Sequence, residues 1–165
     1  MEGFPKVVTA VKQLLRFEKG GTMRLTKFSD YALRVLMIAT TCGEQKLTIE
    51  ATAEVFGISQ GHLKKVVLAL TRAGFLQGFK GRTGGYLLAR KPEDINIGAV
   101  LRVTETNYQV FDCFQEGQVC PLAGPCRLPS IGGRAIAAFL ATFDQVSLAD
   151  LALPRSTFGA EFHLR

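Results

Sequence analysis

Two short amphipathic patterns separated by a glycine constrain the fold of this chain more than any other feature. Residues 49–56 predict a short helix that Gly57 stops, and Ser59 is then a suitable N-cap for a second helix running to about Arg72. Apolar residues at helical spacing supply the buried face of that second helix: Leu63, Val66, Val67 and Leu70. A helix pair joined by a glycine-containing turn is typical of the helix-turn-helix motif, although ordinary helical bundles contain such pairs too.

A glycine-tipped hairpin follows directly. Residues 75–79 alternate like a strand, residues 81–85 predict a tight turn, and residues 86–89 predict a returning strand. A basic hairpin placed after a helix-turn-helix is a wing. The predicted fold class is therefore mainly α (α+β), with a winged helix-turn-helix DNA-binding domain.

The remaining segments complete the predicted organisation. Ser29 is the predicted N-cap of a helix that ends at Cys42-Gly43, and residues 97–104 predict another short helix. Beyond a glycine- and proline-rich loop, apolar and small residues at spacings of three and four predict a long helix suited to dimerisation: Ile131, Ala135, Ala138, Phe139, Thr142 and Phe143. The predicted division is an N-terminal extension (1–22), a winged helix-turn-helix domain (23–105), a cysteine loop (106–130), a dimerisation helix region (131–153) and a tail (154–165). Two interpretations of the extension stay open: an upstream addition to a functional start at Met23, or a genuine N-terminal helix that packs on the domain.

Charge is distributed unevenly along the chain. The formal net charge is +6, and the 38 positions between Glu54 and Glu93 contain no acidic residue. Since ordinary surfaces mix both signs, this stretch favours contact with nucleic acid over a solvated helix face. The candidate DNA-binding residues are the polar positions at the start of the second helix and the two cations beside the wing tip: Ser59, Gln60, His62, Lys64, Lys65, Lys80 and Arg82.

Composition excludes several classes of protein. A hydrophobic fraction of 47% supports a packed core, and no apolar run is long enough to span a membrane. The first 22 residues carry charges throughout and lack the apolar centre of a secretory signal, so we expect a cytoplasmic protein with reduced cysteines and no membrane partner. No nucleophile, base and orienting group occur at a recognisable spacing, so we expect no enzymatic activity.

Three cysteines close together in the loop predict a metal or cluster site. Six residues separate Cys113 from Cys120, and five separate Cys120 from Cys126. These gaps are wider than the Cys-x-x-Cys chelate usual in structural zinc sites, and an iron–sulfur cluster tolerates them. Zinc with a distant fourth ligand and a thiol-based redox switch remain alternatives. Cys42 ends an apolar helix and is predicted to be a small buried residue.

The chain resembles the family of winged-helix iron–sulfur repressors that has NsrR-like and IscR-like members. Residues 23–34 (MRLTKFSDYALR) are similar to the opening of that family's first helix, and residues 81–89 (GRTGGYLLA) are similar to its wing. The three cysteines fall where its cluster loop lies. The resemblance covers Met23 to about Leu151 and leaves the extension outside.

The resemblance implies a homodimer that binds double-stranded promoter DNA and carries one iron–sulfur cluster per subunit, with [4Fe-4S] favoured over [2Fe-2S] and nitric oxide as the effector. The implied ligands are Cys113, Cys120 and Cys126, with Asp30 reaching across from the other subunit. IscR-like members instead place a histidine soon after the third cysteine, and residues 127–130 contain none. Arg34, one helical turn after Asp30, is placed to pair with its carboxylate once that is released and is the implied switch residue.

Other functions remain open. An IscR-like [2Fe-2S] sensor of iron–sulfur status and a zinc- or thiol-based redox regulator are the alternatives within DNA-binding proteins. A small iron–sulfur electron carrier, or a zinc-stabilised interaction module, would not need the acid-free stretch through the helix and the wing.

Overall fold

The computed structural model describes residues 24–81, 84–105, 108, 110–111, 117, 120–122 and 124–154. Its elements in chain order are α1 (Lys27–Cys42), α2 (Ile49–Phe56), α3 (Gln60–Arg72), β1 (Leu76–Phe79), β2 (Gly85–Leu88), α4 (Ile97–Thr104) and α5 (Leu128–Asp144), with single 3-10 turns at Pro92–Asp94 and Ala149–Leu151. The mainly helical winged fold predicted from the sequence is confirmed. The predicted extension 1–22, Arg82, Cys113 and the tail from residue 155 lie outside the described residues.

Helix α1 begins earlier than the sequence predicted. Thr26 is its N-cap, and the Thr26 side chain accepts a hydrogen bond of 3.3 Å from the Ser29 backbone N–H. Ser29 was predicted to be the cap, but it lies within the first turn and is fully buried. Helix α1 supplies the centre of the core through five apolar side chains that are almost completely buried: Ala32, Val35, Leu36, Ile38 and Ala39.

The helix-turn-helix forms as its local signals predict. Gly57 ends α2 in the left-handed conformation with φ 62°, which a glycine adopts without steric cost. Ser59 is confirmed as the N-cap of α3, because its side chain accepts a hydrogen bond from the His62 backbone N–H. Leu63, Val66 and Leu70 are fully buried against α1 and α2.

The wing is an antiparallel hairpin in which Leu76 pairs with Leu88 and Phe79 pairs with Gly85. The first strand is one residue shorter than predicted, and the second begins and ends one residue earlier. Leu47, before α2, adds a third extended segment, because it exchanges hydrogen bonds of 3.0 and 2.8 Å with the backbone of Tyr86. Gly85 allows this approach, since a Cβ at that position would lie 2.5 Å from the Leu47 carbonyl oxygen.

Tyr86 connects the wing to the helix-turn-helix. Its side chain is almost fully buried, and its hydroxyl lies 2.6 Å from the Thr52 hydroxyl in α2. Burial raises the pKa of the Tyr86 phenol well above its ordinary value, because the phenolate would be poorly solvated there. The orientation of the wing relative to α2 is therefore fixed by a buried polar contact as well as by the Leu47 bridge.

Helix α5 begins three residues before the predicted start. Pro129 was assigned to the loop, but it lies in the first turn of α5, where a missing N–H costs nothing. A bidentate ion pair between Arg102 and Asp144, with N–O distances of 2.5 and 2.7 Å, joins the C-terminal end of α5 to α4. The Asn96 side chain donates a further hydrogen bond of 2.7 Å to the Asp144 backbone carbonyl.

Candidate DNA-binding surface and sensor residues

The predicted base-contacting residues all lie on the exposed start of α3. Ser59, Gln60, His62, Lys64 and Lys65 are exposed to solvent. The Ser59 hydroxyl is already engaged in the helix cap and lies 2.9 Å from His62 Nδ1. Ser59 and His62 therefore form one unit at the tip of the helix, while Gln60 and Lys64 extend from it independently.

A cleft of about 530 Å³ separates α3 from the wing. Its walls include Lys64 and Leu68 from α3 and Phe79 and Lys80 from the hairpin. The Lys46 ammonium lies 4.4 Å from the centre of the Phe79 ring, which adds a third cation near the turn of the wing. Leu68 is half exposed in this largely apolar cleft, and an apolar side chain on a recognition helix is suited to contact a thymine methyl group.

Asp30 and Arg34 form an ion pair along α1. Arg34 Nε lies 2.9 Å from Asp30 Oδ2, and both side chains are 47% exposed. The Arg34 guanidinium also lies 5.9 Å from the centre of the Phe56 ring, at the end of α2. The sequence placed Arg34 beside Asp30 by helical spacing, but it gave no sign of Phe56. One guanidinium thus contacts both the candidate ligand and the first helix of the helix-turn-helix.

Glu105 is a buried carboxylate at the point where α4 leads into the cysteine loop. It is 5% exposed, and its Oε2 accepts hydrogen bonds of 2.8 Å from the Thr26 backbone N–H and 2.9 Å from the Ser29 hydroxyl. Both donors belong to the start of α1, so this side chain joins the beginning of the loop to the helix that carries Asp30. The sequence did not single out Glu105. The available signal was an acidic residue directly after an apolar helix.

The cysteines are described in part. Cys120 and Cys126 are free thiols of intermediate exposure, and the Cys126 backbone N–H donates a hydrogen bond of 3.1 Å to the Leu122 carbonyl. Cys113 lies outside the described residues. Cys42 is buried at the end of α1, as predicted. Within the described residues no three His, Cys, Asp or Glu side chains come close enough to hold a metal ion.

The donor chemistry of these residues fits an iron–sulfur cluster. Two free, partly accessible thiols lie on a short irregular segment, and soft thiolate ligands suit iron–sulfur clusters. The half-exposed Asp30 carboxylate retains one oxygen that is not engaged by Arg34, so it is available as a ligand to a group approaching from outside the chain.

The paired helices, the wing and the exposed cations define a winged helix-turn-helix DNA-binding regulator of transcription. Residues 25–154 match the model of the Rrf2 family, described as iron-dependent transcriptional regulators. The chain belongs to this family. Within the described residues, none of the helices combines the length and apolar character needed to cross a membrane.

The relatives are named as regulators rather than enzymes. The HTH-type transcriptional regulator NsrR of Geobacillus kaustophilus is 41% identical over 137 residues, which cover 82% of this chain and 93% of the relative. The protein of the same name from Bacillus subtilis is 38% identical over 131 residues, covering 78% and 90%. Similarity at this level over most of both chains supports regulation of transcription as the role of this protein.

Solved structures share the fold. CymR, the global cysteine regulator of B. subtilis, superposes with a TM-score of 0.61 at 25% identity, over 79% of this chain and 97% of CymR. IscR of T. potens superposes with a TM-score of 0.60 at 25% identity, over 78% of this chain and 85% of that protein.

Proposed function

We propose that this protein is a transcriptional repressor whose binding to promoter DNA is controlled by an iron–sulfur cluster and released by nitric oxide. The observation that carries the proposal is the position of Arg34, which contacts both the Asp30 carboxylate and the Phe56 ring. Relatives named NsrR at 38–41% identity support the same reading.

Cys113, Cys120 and Cys126 would hold the cluster through their thiolates, with Asp30 of the partner subunit as the fourth ligand. We favour [4Fe-4S] over [2Fe-2S]. The cluster would supply an iron that reacts with nitric oxide, and Asp30, as a hard carboxylate beside three soft thiolates, would be the most readily replaced of the four ligands. The Asp30 side chain can serve this role because it is half exposed at the start of α1.

Arg34 links the state of Asp30 to the helix-turn-helix. When the Asp30 carboxylate is not a ligand, Arg34 neutralises it at 2.9 Å, as in this structure. When the carboxylate is engaged elsewhere, the guanidinium loses its partner and its place over Phe56 is no longer fixed from both sides. Because Phe56 ends α2, directly before the turn into α3, this change acts at the base of the recognition helix.

The homodimer would form through α5. One face of this helix packs inward: Gly132 is buried, and Phe139 and Phe143 are partly buried in edge-to-face contact with ring centres 5.1 Å apart. The adjacent face is exposed and largely apolar, with Leu128, Ile131, Ala135, Ala138 and Thr142 at spacings of three and four. Ile131 is 50% exposed, and small residues beside it would let a second copy of α5 approach closely.

Dimerisation also explains how a small shift could release DNA. Two recognition helices must reach successive major grooves about 34 Å apart, so the spacing between the two winged domains determines affinity. The ion pair between Arg102 and Asp144 connects α5 to α4, and Glu105 connects the end of α4 to the start of α1. The proposed dimer helix and the helix that carries Asp30 are therefore both tied to α4.

An IscR-like [2Fe-2S] regulator is the alternative. That branch uses a histidine after the third cysteine, whereas residues 127–130 continue directly into α5 without one. His62 lies on α3 and His163 lies outside the described residues. The ligand set available in this chain therefore favours the Asp30 arrangement.

The proposal is tested with anaerobically purified protein. Absorption and Mössbauer spectra establish whether a cluster is present and of which type, and fluorescence anisotropy with a promoter duplex measures affinity before and after addition of nitric oxide. We expect tight binding that is lost on exposure. Asp30→Ala should retain a cluster but alter its reactivity and the loss of DNA binding; an unchanged response to nitric oxide would remove Asp30 from the mechanism. Equal affinity of the cluster-bound and cluster-free wild-type dimers would overturn the proposal itself.

A further inference from the structure

A crevice of about 240 Å³ lies between the start of α1 and the start of α3, on the side of α3 away from the wing. Phe28 and Val66 form its apolar floor, and both pack against the core. Polar and charged side chains from both helices form its walls: Lys27, Tyr31, His62 and Lys65. The proposed response to nitric oxide does not use this crevice.

The lysines of the walls are not engaged in ion pairs with any residue that the structure describes. Among the described residues the ion pairs are Asp30 with Arg34 and Asp144 with Arg102, so neither Lys27 nor Lys65 has an acidic partner within 4 Å. Both ammonium groups belong to exposed residues. An anion entering the crevice would therefore meet two cations that are not already neutralised.

His62 is held in a fixed orientation at the edge of this crevice. Its Nδ1 lies 2.9 Å from the Ser59 hydroxyl, and its ring centre lies 6.4 Å from the centre of the Tyr31 ring. With Nδ1 engaged, the remaining nitrogen, Nε2, is available to a ligand. The two contacts limit rotation of the imidazole, which reduces the entropy that binding would cost.

We propose that this crevice binds a phosphate of the DNA backbone, with Lys27 and Lys65 supplying charge and His62 Nε2 a hydrogen bond. The inference rests on the proposed DNA-binding function and deepens it. A helix inserted into a major groove has a phosphate backbone on either side. Lys64 and the wing line one side of α3, and this crevice lines the other, so the two sides of the helix meet opposite walls of the groove.

The assignment changes the role of two residues. His62 and Lys65 become phosphate contacts that set the position of α3 on the duplex, whereas Gln60 and Lys64 remain available for base edges. It also makes α1 part of the DNA-binding surface. Lys27, Asp30 and Tyr31 all lie at the start of α1. Any displacement of α1 that accompanies a change at Asp30 would therefore also move the Lys27 and Tyr31 walls of the phosphate site.

Lys27→Gln tests the assignment, with Lys91→Gln as the matched control. Lys91 is also exposed and follows β2, at the end of the hairpin away from its tip, so both variants lose one charge and only the first loses it at the crevice. Affinity is measured by fluorescence anisotropy across a salt series, with a promoter duplex and a duplex of shuffled sequence. Circular dichroism confirms that both variants are folded.

We expect Lys27→Gln to reduce the slope of log K against log salt by about 1 and to weaken binding roughly tenfold at 0.1 M salt on both duplexes. Lys91→Gln should match the wild type. Identical slopes for Lys27→Gln, Lys91→Gln and wild type would overturn the phosphate site while leaving DNA binding intact. A salt-independent or absent interaction of the wild type would overturn the proposed function, and the phosphate site with it.

A scan with neutral methylphosphonates along the promoter duplex provides a second readout. Replacing the phosphate that occupies the crevice should weaken the wild type and Lys91→Gln by about the same factor, but should have little further effect on Lys27→Gln. Additive losses at every position would show that Lys27 acts only through general charge, which contradicts the proposal.

Discussion

The Ser29 hydroxyl donates a hydrogen bond of 2.9 Å to Oε2 of Glu105, 76 positions later in the chain. Both residues are buried, and the same oxygen accepts the Thr26 backbone N–H at 2.8 Å. The first turn of α1 is thus held to the end of α4 by a carboxylate that has two specific donors. Since the cysteine loop begins immediately after Glu105, the same contact fixes the residue from which the loop departs and the helix turn that carries Asp30.

Replacing Glu105 with alanine should destabilise the fold. The substitution leaves the Thr26 N–H and the Ser29 hydroxyl without their buried acceptor, which costs about 1–3 kcal/mol. Urea denaturation followed by circular dichroism measures the change. Glu93→Ala is the control, because Glu93 is exposed in the 3-10 turn Pro92–Asp94 and should change the free energy of unfolding little. Equal effects of the two substitutions would show that the buried contact adds nothing.

Removing the Tyr86 hydroxyl should make stability less dependent on pH at alkaline values. Burial raises the pKa of this phenol above its ordinary value of 10.0, so the folded state favours the neutral form. That contribution is complete below pH 10 and is lost as the pH rises toward the folded pKa, because only the unfolded chain then ionises freely. Tyr86→Phe should lower the free energy of unfolding near neutral pH by about 1 kcal/mol, because the hydrogen bond to Thr52 is lost. Between about pH 9 and about pH 11 the stability of this variant should fall less than that of the wild type. Parallel denaturation curves at each pH measure both effects; a wild type and variant that fall equally would contradict the buried phenol.

The helix-turn-helix could be predicted because its signals are local. Gly57 and Ser59 act within one turn of their own helices, and the structure uses both as the sequence indicated. The start of α1 could not be predicted from local signals. By residue type Ser29 is the better cap, but Glu105, from a distant part of the chain, binds both the Ser29 hydroxyl and the Thr26 backbone N–H.

Residue spacing alone also assigned side chains from two different faces of α5 to one surface. Residues three and four apart fall on one broad stripe, so Ile131 and Phe139 were assigned to the same dimer surface. The structure separates them, because Phe139 is partly buried against Phe143, which packs on the core, while Ile131 remains exposed. The Phe56 ring beside Arg34 was missed for the same reason: two helices bring it there, and no spacing in one segment reports it.

Introducing a charge on the exposed face of α5 should prevent dimerisation. Ile131→Glu places a carboxylate within the apolar stripe, where two copies would meet, and its burial there is unfavourable. Light scattering coupled to size-exclusion chromatography should show a monomer. Ala137→Glu is the control, because Ala137 is exposed on another side of the same helix and should remain dimeric. A dimeric Ile131→Glu protein would place the interface elsewhere.

Cys120→Ala should abolish the visible absorption of the anaerobically purified protein, because a cluster cannot be held stably without one of its three proposed thiolates. Cys42→Ala is the matched control: Cys42 is buried in the core at the end of α1, so the variant should keep the chromophore while losing some stability. A brown Cys120→Ala protein would show that this thiol is not a ligand. Loss of colour in Cys42→Ala as well would point to general unfolding rather than to ligation.

The contact between Arg34 and Phe56 should be measurable as a coupling free energy. The guanidinium lies 5.9 Å from the ring centre, and a partly exposed cation–π contact contributes about 0.5–1 kcal/mol. A double-mutant cycle with Arg34→Gln, Phe56→Leu and the combined variant isolates this term, because the packing lost at Phe56 cancels between the two arms. The cycle is run on cluster-free protein by urea denaturation and then repeated with Asp30→Asn throughout. If Asp30 holds the guanidinium over the ring, the coupling should fall once the carboxylate is gone. A coupling of zero in the first cycle would mean that Arg34 does not transmit the state of Asp30 through α2, and the same value in both cycles would mean that the ion pair does not position it.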